Sequence, residues 1–462
     1  IPNPQSPIPN PHINLIPIFL VYYKLLNFFI LKMVDSFEEM KLEKWIKKVI
    51  AYLSYKTPTI VQKYIIPQIL NDKSVIAISK TGTGKTASFC LPILSELSKD
   101  PYGLYSIILE PTRELVIQVE EKLKLFSTGF NLRMCSIIGG EDYTTQLKEL
   151  DKIPHIIIAT PGRLVTFLEN NYIKLVQNLK YFVMDEFDQL LNDTIRPDIE
   201  KIIKFLPEDR KTLFFSATIV QSKNELKKYL GKNDTGELYY YNNNEDTNDE
   251  KEKEKEVDEK KNNNTIPMKI KNKINEDVDL KYILVPQKLK EHYLLYLLRN
   301  KYKESNCLIF VNHVTQCDFL YNLCKLFELK VSHLHSKMTQ RNRRDDLQKF
   351  KGSISTFLIS TDLASRGLDI KQCDLVINFD MPHTSQTFIH RAGRTGRIGN
   401  KGLCISFVSQ HDIELLNGIE EELDADFKEI EEIDQDEIMV DTGLVSKGIK
   451  LTKMKMIKEE KK

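Results

Sequence analysis

Val75-Ile76-Ala77-Ile78-Ser79-Lys80-Thr81-Gly82-Thr83-Gly84-Lys85-Thr86 is the stretch whose reading decides the fold. Four consecutive apolar residues predict a strand covered on both faces, as in a parallel sheet. A glycine-rich turn follows, and a helix is expected to open near Ala87. Gly82, Thr83 and Gly84 form the turn, whose glycines let the backbone aim its N–H groups inward. Lys85 then places a point charge on the β and γ phosphates, and the Thr86 hydroxyl is suited to ligate Mg²⁺. Ser79 departs from a full Gly-x-x-x-x-Gly-Lys pattern, so the stretch fixes a nucleoside-triphosphate enzyme without fixing its subfamily.

Working outward, short apolar runs recur at 107–109, 134–138, 156–159, 181–184 and 213–215, with helix-like stretches such as Glu114 to Phe126 between them. This predicts an α/β domain over residues 34–235. The pattern collapses in the next stretch. Between Glu245 and Lys261 there are nine acidic residues, five lysines and a single aliphatic one, Val257. Such a composition cannot form a core, so 236–279 reads as a linker, and a charge-laced exposed helix is the alternative. A second strand-and-helix series runs through 282–285, 307–311, 356–360, 375–379 and 404–408, giving a domain over 280–420. A charged tail is expected over 421–462. Two α/β domains on a flexible connection imply a cleft between them.

Composition narrows the partners. With 66 Lys and Arg against 65 Asp and Glu, the net charge is +1, which excludes a whole-chain basic footprint. Nucleic acid would have to be held by local groups. Seven scattered cysteines without a CxxC pair read as reduced, structural thiols. Residues 1–33 are atypical: Ile13 to Ile30 is apolar but is broken by Pro17, Lys24 and Asn27. They are expected to be irrelevant to function and to lie upstream of the true start, since Met33 directly precedes the patterned sequence, with a targeting sequence or a membrane anchor as alternatives.

The chemistry lies at strand ends. Asp185-Glu186 follow the run Tyr181 to Met184, placing two carboxylates beside the cradle. Asp185 can hold Mg²⁺ through water, and Glu186 can orient and deprotonate the attacking water. Ser216-Ala217-Thr218 ends another apolar run. It reads either as an ordinary cap or turn, or as hydroxyls that sense the γ phosphate. His390-Arg391-Ala392-Gly393-Arg394-Thr395-Gly396-Arg397 in the second domain supplies arginines to stabilise charge on the γ phosphoryl oxygens, which would make catalysis depend on domain closure. Asp369, after the run 356–360, is placed to reach the ribose.

Taken together in order, these motifs resemble the DEAD-box RNA helicases of superfamily 2, over roughly Phe37 to Val408 without the linker. The resemblance implies two tandem RecA-like domains, ATP with Mg²⁺, and RNA as partner. It gives Phe37 and Gln62 the adenine-recognition role, and makes Asp185-Glu186-Phe187-Asp188 the eponymous tetrad. Ser216, Thr218, Asp188 and His390 become coupling residues, and Arg394 and Arg397 the finger arginines. It also implies an RNA path through Pro111, Thr112, Arg113, Gly140, Thr160 and Arg163 in the first domain. In the second domain the path takes Gln340, Arg343, Thr361, Arg366 and Gly367. Thr112 and Thr160 can equally be read as helix caps. Phe187 stands where the family has a small alanine, which puts packing and coupling in question while leaving the acid chemistry intact.

The strings Glu43-Lys44-Trp45, Asp100-Pro101-Tyr102-Gly103 and Pro154-His155 look like the nucleolar branch serving small-subunit ribosome assembly. From the resemblance, a monomer in the nucleus or nucleolus is expected, acting on pre-rRNA or ribonucleoprotein, with an accessory activator protein and no stable membrane partner. The rival readings are an ATP-gated RNA clamp with impaired turnover and a DNA-translocating superfamily 2 ATPase.

Overall fold

The computed structural model describes residues 35–79, 82–217, 223–232, 239–242, 277–362, 373–396, 401–430, 438 and 441–460. The apolar segment 13–30 and the core of the linker lie outside them. Among the described residues no helix is long and apolar enough to cross a membrane.

Domain one carries seven strands: β1 (Val75–Ile78), β2 (Ser106–Leu109), β3 (Met134–Ile137), β4 (Ile156–Ala159), β5 (Tyr181–Met184), β6 (Lys211–Ser216) and β7 (Tyr239–Asn242). They pair in the order β3-β4-β2-β5-β6-β1-β7, all in parallel. β1, β2, β4 and β5 are buried at every position, as their continuous apolar runs require of a sheet covered on both faces.

Domain two repeats the plan with β8 (Val278–Leu284), β9 (Cys307–Phe310), β10 (Val331–Leu334), β11 (Phe357–Ser360), β12 (Leu375–Asn378), β13 (Gly402–Val408) and β14 (Lys428–Glu429). Its order is β10-β11-β9-β12-β13-β8-β14, again parallel. Strand for strand, this is the same winding as domain one. The chain is therefore two RecA-like units, as its motifs imply.

The strands overrun the expected linker at both ends. β7 extends the first sheet past residue 235, and β8 begins before 280. The charged tail is also part of the fold. Thr442–Glu460 is a helix whose Val445, Ile449, Thr452 and Met456 recur at spacings of four, three and four. Val445 and Thr452 are buried, and Ile449 and Met456 pack on the core that holds Leu320 and Leu323. All seven cysteines are buried.

Candidate functional site

Parallel pairing brings the chemistry together. Neighbouring strands β5, β6 and β1 point their C-terminal ends to one edge, so the acid pair, Ser216 and the phosphate loop meet there. Ser79 N–H donates to the Ser216 carbonyl at 3.0 Å, stitching the loop to β6. Gly82 and Gly84 hold φ of +82° and +91°, a left-handed backbone that favours glycine. The helix Lys85–Leu97 starts immediately after Gly84, so the N–H groups of its first turn face the loop. Lys85 is buried and donates to the Ser79 carbonyl at 2.7 Å, while the Ser79 and Thr83 hydroxyls bond at 2.8 Å. Thr86 lies at the half-buried first turn of the same helix.

Gln62 ties the expected base-reading element to this loop. Its Oε1 accepts from Thr59 N at 3.0 Å, and its Nε2 donates to the Gly84 carbonyl at 3.3 Å. A Cβ on Gly84 would lie 2.4 Å from that Nε2, so close approach and positive φ both require glycine there. Phe37 is packed into the domain-one core with Val61 and Ile65.

The acid pair is buried. Asp185 Oδ1 accepts from Glu186 N at 2.9 Å, and Glu186 adopts φ 49° and ψ 48°. A non-glycine residue held there costs about 1–3 kcal/mol, a kind of strain concentrated at functional sites. Glu186 Oε2 finds no hydrogen-bond partner among the described residues. Burial pushes its carboxyl up to about 7, with Lys85 and Arg394 opposing and Asp188 and Asp185 adding. Burial raises Asp185 as well, against Lys85. These oxygens, with Thr86, fit a hydrated Mg²⁺ carried by a triphosphate: two buried carboxylates and a hydroxyl beside a buried lysine.

Sequence reasoning passed over Glu110 at the end of β2. It is fully buried, both carboxyl oxygens lack partners among the described residues, and burial, with the charges of Asp185 and Glu186, pushes its carboxyl well above the usual carboxylate range. The apolar run before it is the signal that could have marked it as a strand-end acid.

Domain two completes the site. Asp188 Oδ2 accepts from Gln386 Nε2 at 2.7 Å and lies 3.5 Å from His390 Nε2. Arg394 is buried and its charge reaches Glu186. Arg391 has a different duty. It forks onto Asp362 at 2.6 and 3.1 Å, bonds Asn312 Oδ1 at 2.8 Å, and so braces domain two internally. Thr218, Arg366, Gly367, Asp369 and Arg397 lie outside the described residues.

On the expected RNA face, Arg113 lies over the Gly139-Gly140 turn, where a Cβ on Gly140 would meet its guanidinium at 2.4 Å. Arg163 donates to the carbonyls of Ile138 and Glu141 and lies over the Tyr143 ring. Pro111 precedes Thr112, which caps the helix Arg113–Phe126 by accepting from Leu115 N at 3.4 Å. Thr160 precedes Pro161–Glu169 without such a bond. In domain two, Gln340 opens the helix Gln340–Lys351, and Thr361 follows β11. Arg343 is buried on Glu114 across the cleft, and Arg344 pairs with Glu141. Glu114 lies inside the Pro111-Thr112-Arg113-Glu114-Leu115 string of the RNA path, whereas Glu141 and Gln386 belong to no motif read from the sequence.

Phe187 leaves the cleft alone. Its ring is fully buried in the domain-one core, edge-on to Phe214 at 5.9 Å. The departure from the family's alanine is absorbed by core packing.

The sequence profile of DEAD/DEAH box helicases matches residues 59–226, and that of the helicase conserved C-terminal domain matches 289–399. The ATP-dependent RNA helicase DBP8 of Scheffersomyces stipitis is 35% identical over 413 residues, covering 88% of this chain and 88% of that protein. The chain belongs to the DEAD-box helicases. The Schizosaccharomyces pombe protein of the same name is 36% identical to this helicase over 87% of it and 85% of the relative. Among solved structures, S. cerevisiae Dbp5 bound to RNA and ADP BeF3 superposes with a TM-score of 0.73 at 25% identity, covering 90% of the helicase and 100% of that chain. Mss116p bound to ssRNA and AMP-PNP gives 0.72 at 27% identity, with 86% and 78% covered.

Proposed function

We infer that this DEAD-box protein is an RNA-stimulated ATPase that separates short RNA duplexes or displaces bound protein, and that it acts in the nucleus on pre-rRNA during small-subunit assembly. The observation that carries the enzymatic part is the cross-cleft contact: Asp188 on Gln386 and His390, beside Glu186 facing Arg394. The strings Glu43-Lys44-Trp45 and Pro154-His155, and the similarity to the yeast DBP8 helicases, support the cellular role.

Lys85 and the loop N–H groups hold the triphosphate, and Gln62 reports base occupancy to the loop through Gly84. Mg²⁺ held at Thr86 and Asp185 would neutralise charge on the β and γ oxygens. Glu186 takes the proton of the attacking water, and Arg394 with Arg397 balances the charge that develops. RNA backbone lies along Arg113, Gly140, Thr160 and Arg163, and on the second domain along Gln340, Thr361, Arg366 and Gly367. These helix starts, hydroxyls and arginines read phosphate and ribose groups and carry little base information. Because both domains contribute, ATP and RNA each favour closure, and loss of the γ phosphate reopens the cleft.

The test compares ATP hydrolysis with single-stranded RNA, with DNA and with neither, alongside unwinding of a short RNA duplex. Stimulation and unwinding with RNA alone are expected. Equal stimulation by DNA would overturn the substrate assignment, and ATP-dependent RNA binding without turnover would replace the enzyme by a clamp.

A further inference from the structure

Away from the cleft, domain two gathers three ligand-type side chains that the ATPase does not use. His333 ends β10 together with Leu334, His335 follows, and Asp318 comes from the helix Val314–Leu326. His335 Nε2 lies 2.8 Å from Asp318 Oδ1, and His333 Nε2 lies 3.6 Å from the same oxygen. One ligand atom from each of the three lies within 4.8 Å of the others.

The surroundings hold the rings in place from behind. His333 Nδ1 bonds Asp346 Oδ2 at 2.8 Å, and Asp346 also accepts from Lys349 at 2.8 Å. A carboxylate oxygen at that distance accepts the hydrogen bond of an Nδ1–H. The Nε2 lone pair of His333 is thereby directed at Asp318. This carboxylate–histidine arrangement fixes tautomer and ring orientation at metal ligands. Tyr321 stacks on the His333 ring at 3.8 Å and sets its plane. His335 is buried, and Asp318 is the one hydrogen-bond partner of its ring among the described residues. Asp318, at 37% side-chain exposure, leaves an entry path.

We propose that His333, His335 and Asp318 form a Zn²⁺ site in domain two, with Asp346 as the outer carboxylate. Two imidazoles and one carboxylate suit a borderline divalent ion, and they leave a fourth position for water. Bonds of about 2.0–2.1 Å in a tetrahedral site place ligand atoms about 3.3 Å apart, so the observed separations need shifts on the order of 1 Å. A bound ion would tie β10 to both flanking helices. One of these is Gln340–Lys351, which carries Arg343 to the cleft.

The experiment titrates the full chain, stripped by a chelator and kept in excess Mg²⁺, with Zn²⁺ by calorimetry, and repeats the titration with Co²⁺ read by visible absorption. One equivalent is expected, with the tetrahedral Co²⁺ spectrum. Asp318→Asn should weaken binding at least about tenfold while melting like the parent in chelator. Asp346→Asn, which keeps all three ligands, should weaken it about 10–100-fold. Binding unchanged in Asp318→Asn would overturn the site. So would binding lost in Asp188→Asn instead, which would place the ion on Glu186, Asp188 and His390. Absence of stoichiometric binding would overturn it as well.

Discussion

Asp188 of domain one accepts a 2.7 Å hydrogen bond from Gln386 of domain two, across 198 positions of sequence. The bond joins the last residue of the acidic tetrad to the helix Ser385–Ala392, which also carries His390 and leads to Arg394. A hydrogen bond to a charged group is worth about 1.5–3 kcal/mol. Gln386→Ala is therefore expected to lower the RNA-stimulated kcat about tenfold or more, while ATP affinity without RNA stays the same. Steady-state hydrolysis paired with nucleotide binding checks this, and an unaltered kcat would show that the contact does not support closure.

Arg343 and Glu114 form a buried ion pair between the domains. Removing one partner leaves a buried charge, at a cost of about 3–5 kcal/mol. The cost falls on the closed form alone, because the open cleft admits water. Arg343→Met should weaken RNA binding in the presence of a non-hydrolysable ATP analogue by at least about tenfold. Adding Glu114→Leu should recover part of the loss. A double variant as weak as the sum of its singles would assign Arg343 to RNA directly.

Phe187→Ala removes a fully buried ring from beside Phe214. A loss of about 3–5 kcal/mol in domain-one stability is expected. RNA-stimulated turnover per folded molecule should be retained at low temperature. Denaturant unfolding followed in parallel with ATPase separates the two effects. A stable variant with altered coupling would move the ring's role back to the cleft.

His155 is buried, accepts from Arg133 N at 3.2 Å, and is pushed down to about 4 by burial with help from Arg133. Its unfolded value is about 6.5. Above that pH both states hold a neutral ring and the effect vanishes. As pH falls from 6.5 towards 4, the unfolded chain binds a proton that the folded one refuses, and stability drops. Urea unfolding at pH 7 and pH 5 should show a larger loss for the parent than for His155→Asn. Equal losses would contradict a neutral, buried ring.

The parts of the fold that were legible in the sequence are those set by local pattern. Val75 to Ile78, Ile156 to Ala159 and Tyr181 to Met184 are continuous apolar runs, and each is a fully buried strand. β10 escaped because Val331-Ser332-His333-Leu334 is half polar, and its partners come from the helices that cover it. The helix Thr442–Glu460 escaped because its lysines dominate the composition and hide an apolar stripe. The nucleotide loop and acid pair could be read because each is a contiguous motif. Gln386, Glu114 and Glu141 act through contacts between domains, which no local spacing encodes. The sequence marks Phe187 as a departure, but only its packing tells where the ring goes.

In the proposed cycle, a phosphate cradle in one domain becomes an ATPase when RNA brings the arginines of the other domain to Glu186. ATP hydrolysis by Glu186→Gln at saturating RNA, with RNA binding measured on the same protein, tests it most directly. ATP-dependent RNA binding at parental strength is expected, with turnover reduced by at least about a hundredfold, the amount a general base contributes. Parental turnover in that variant would contradict it.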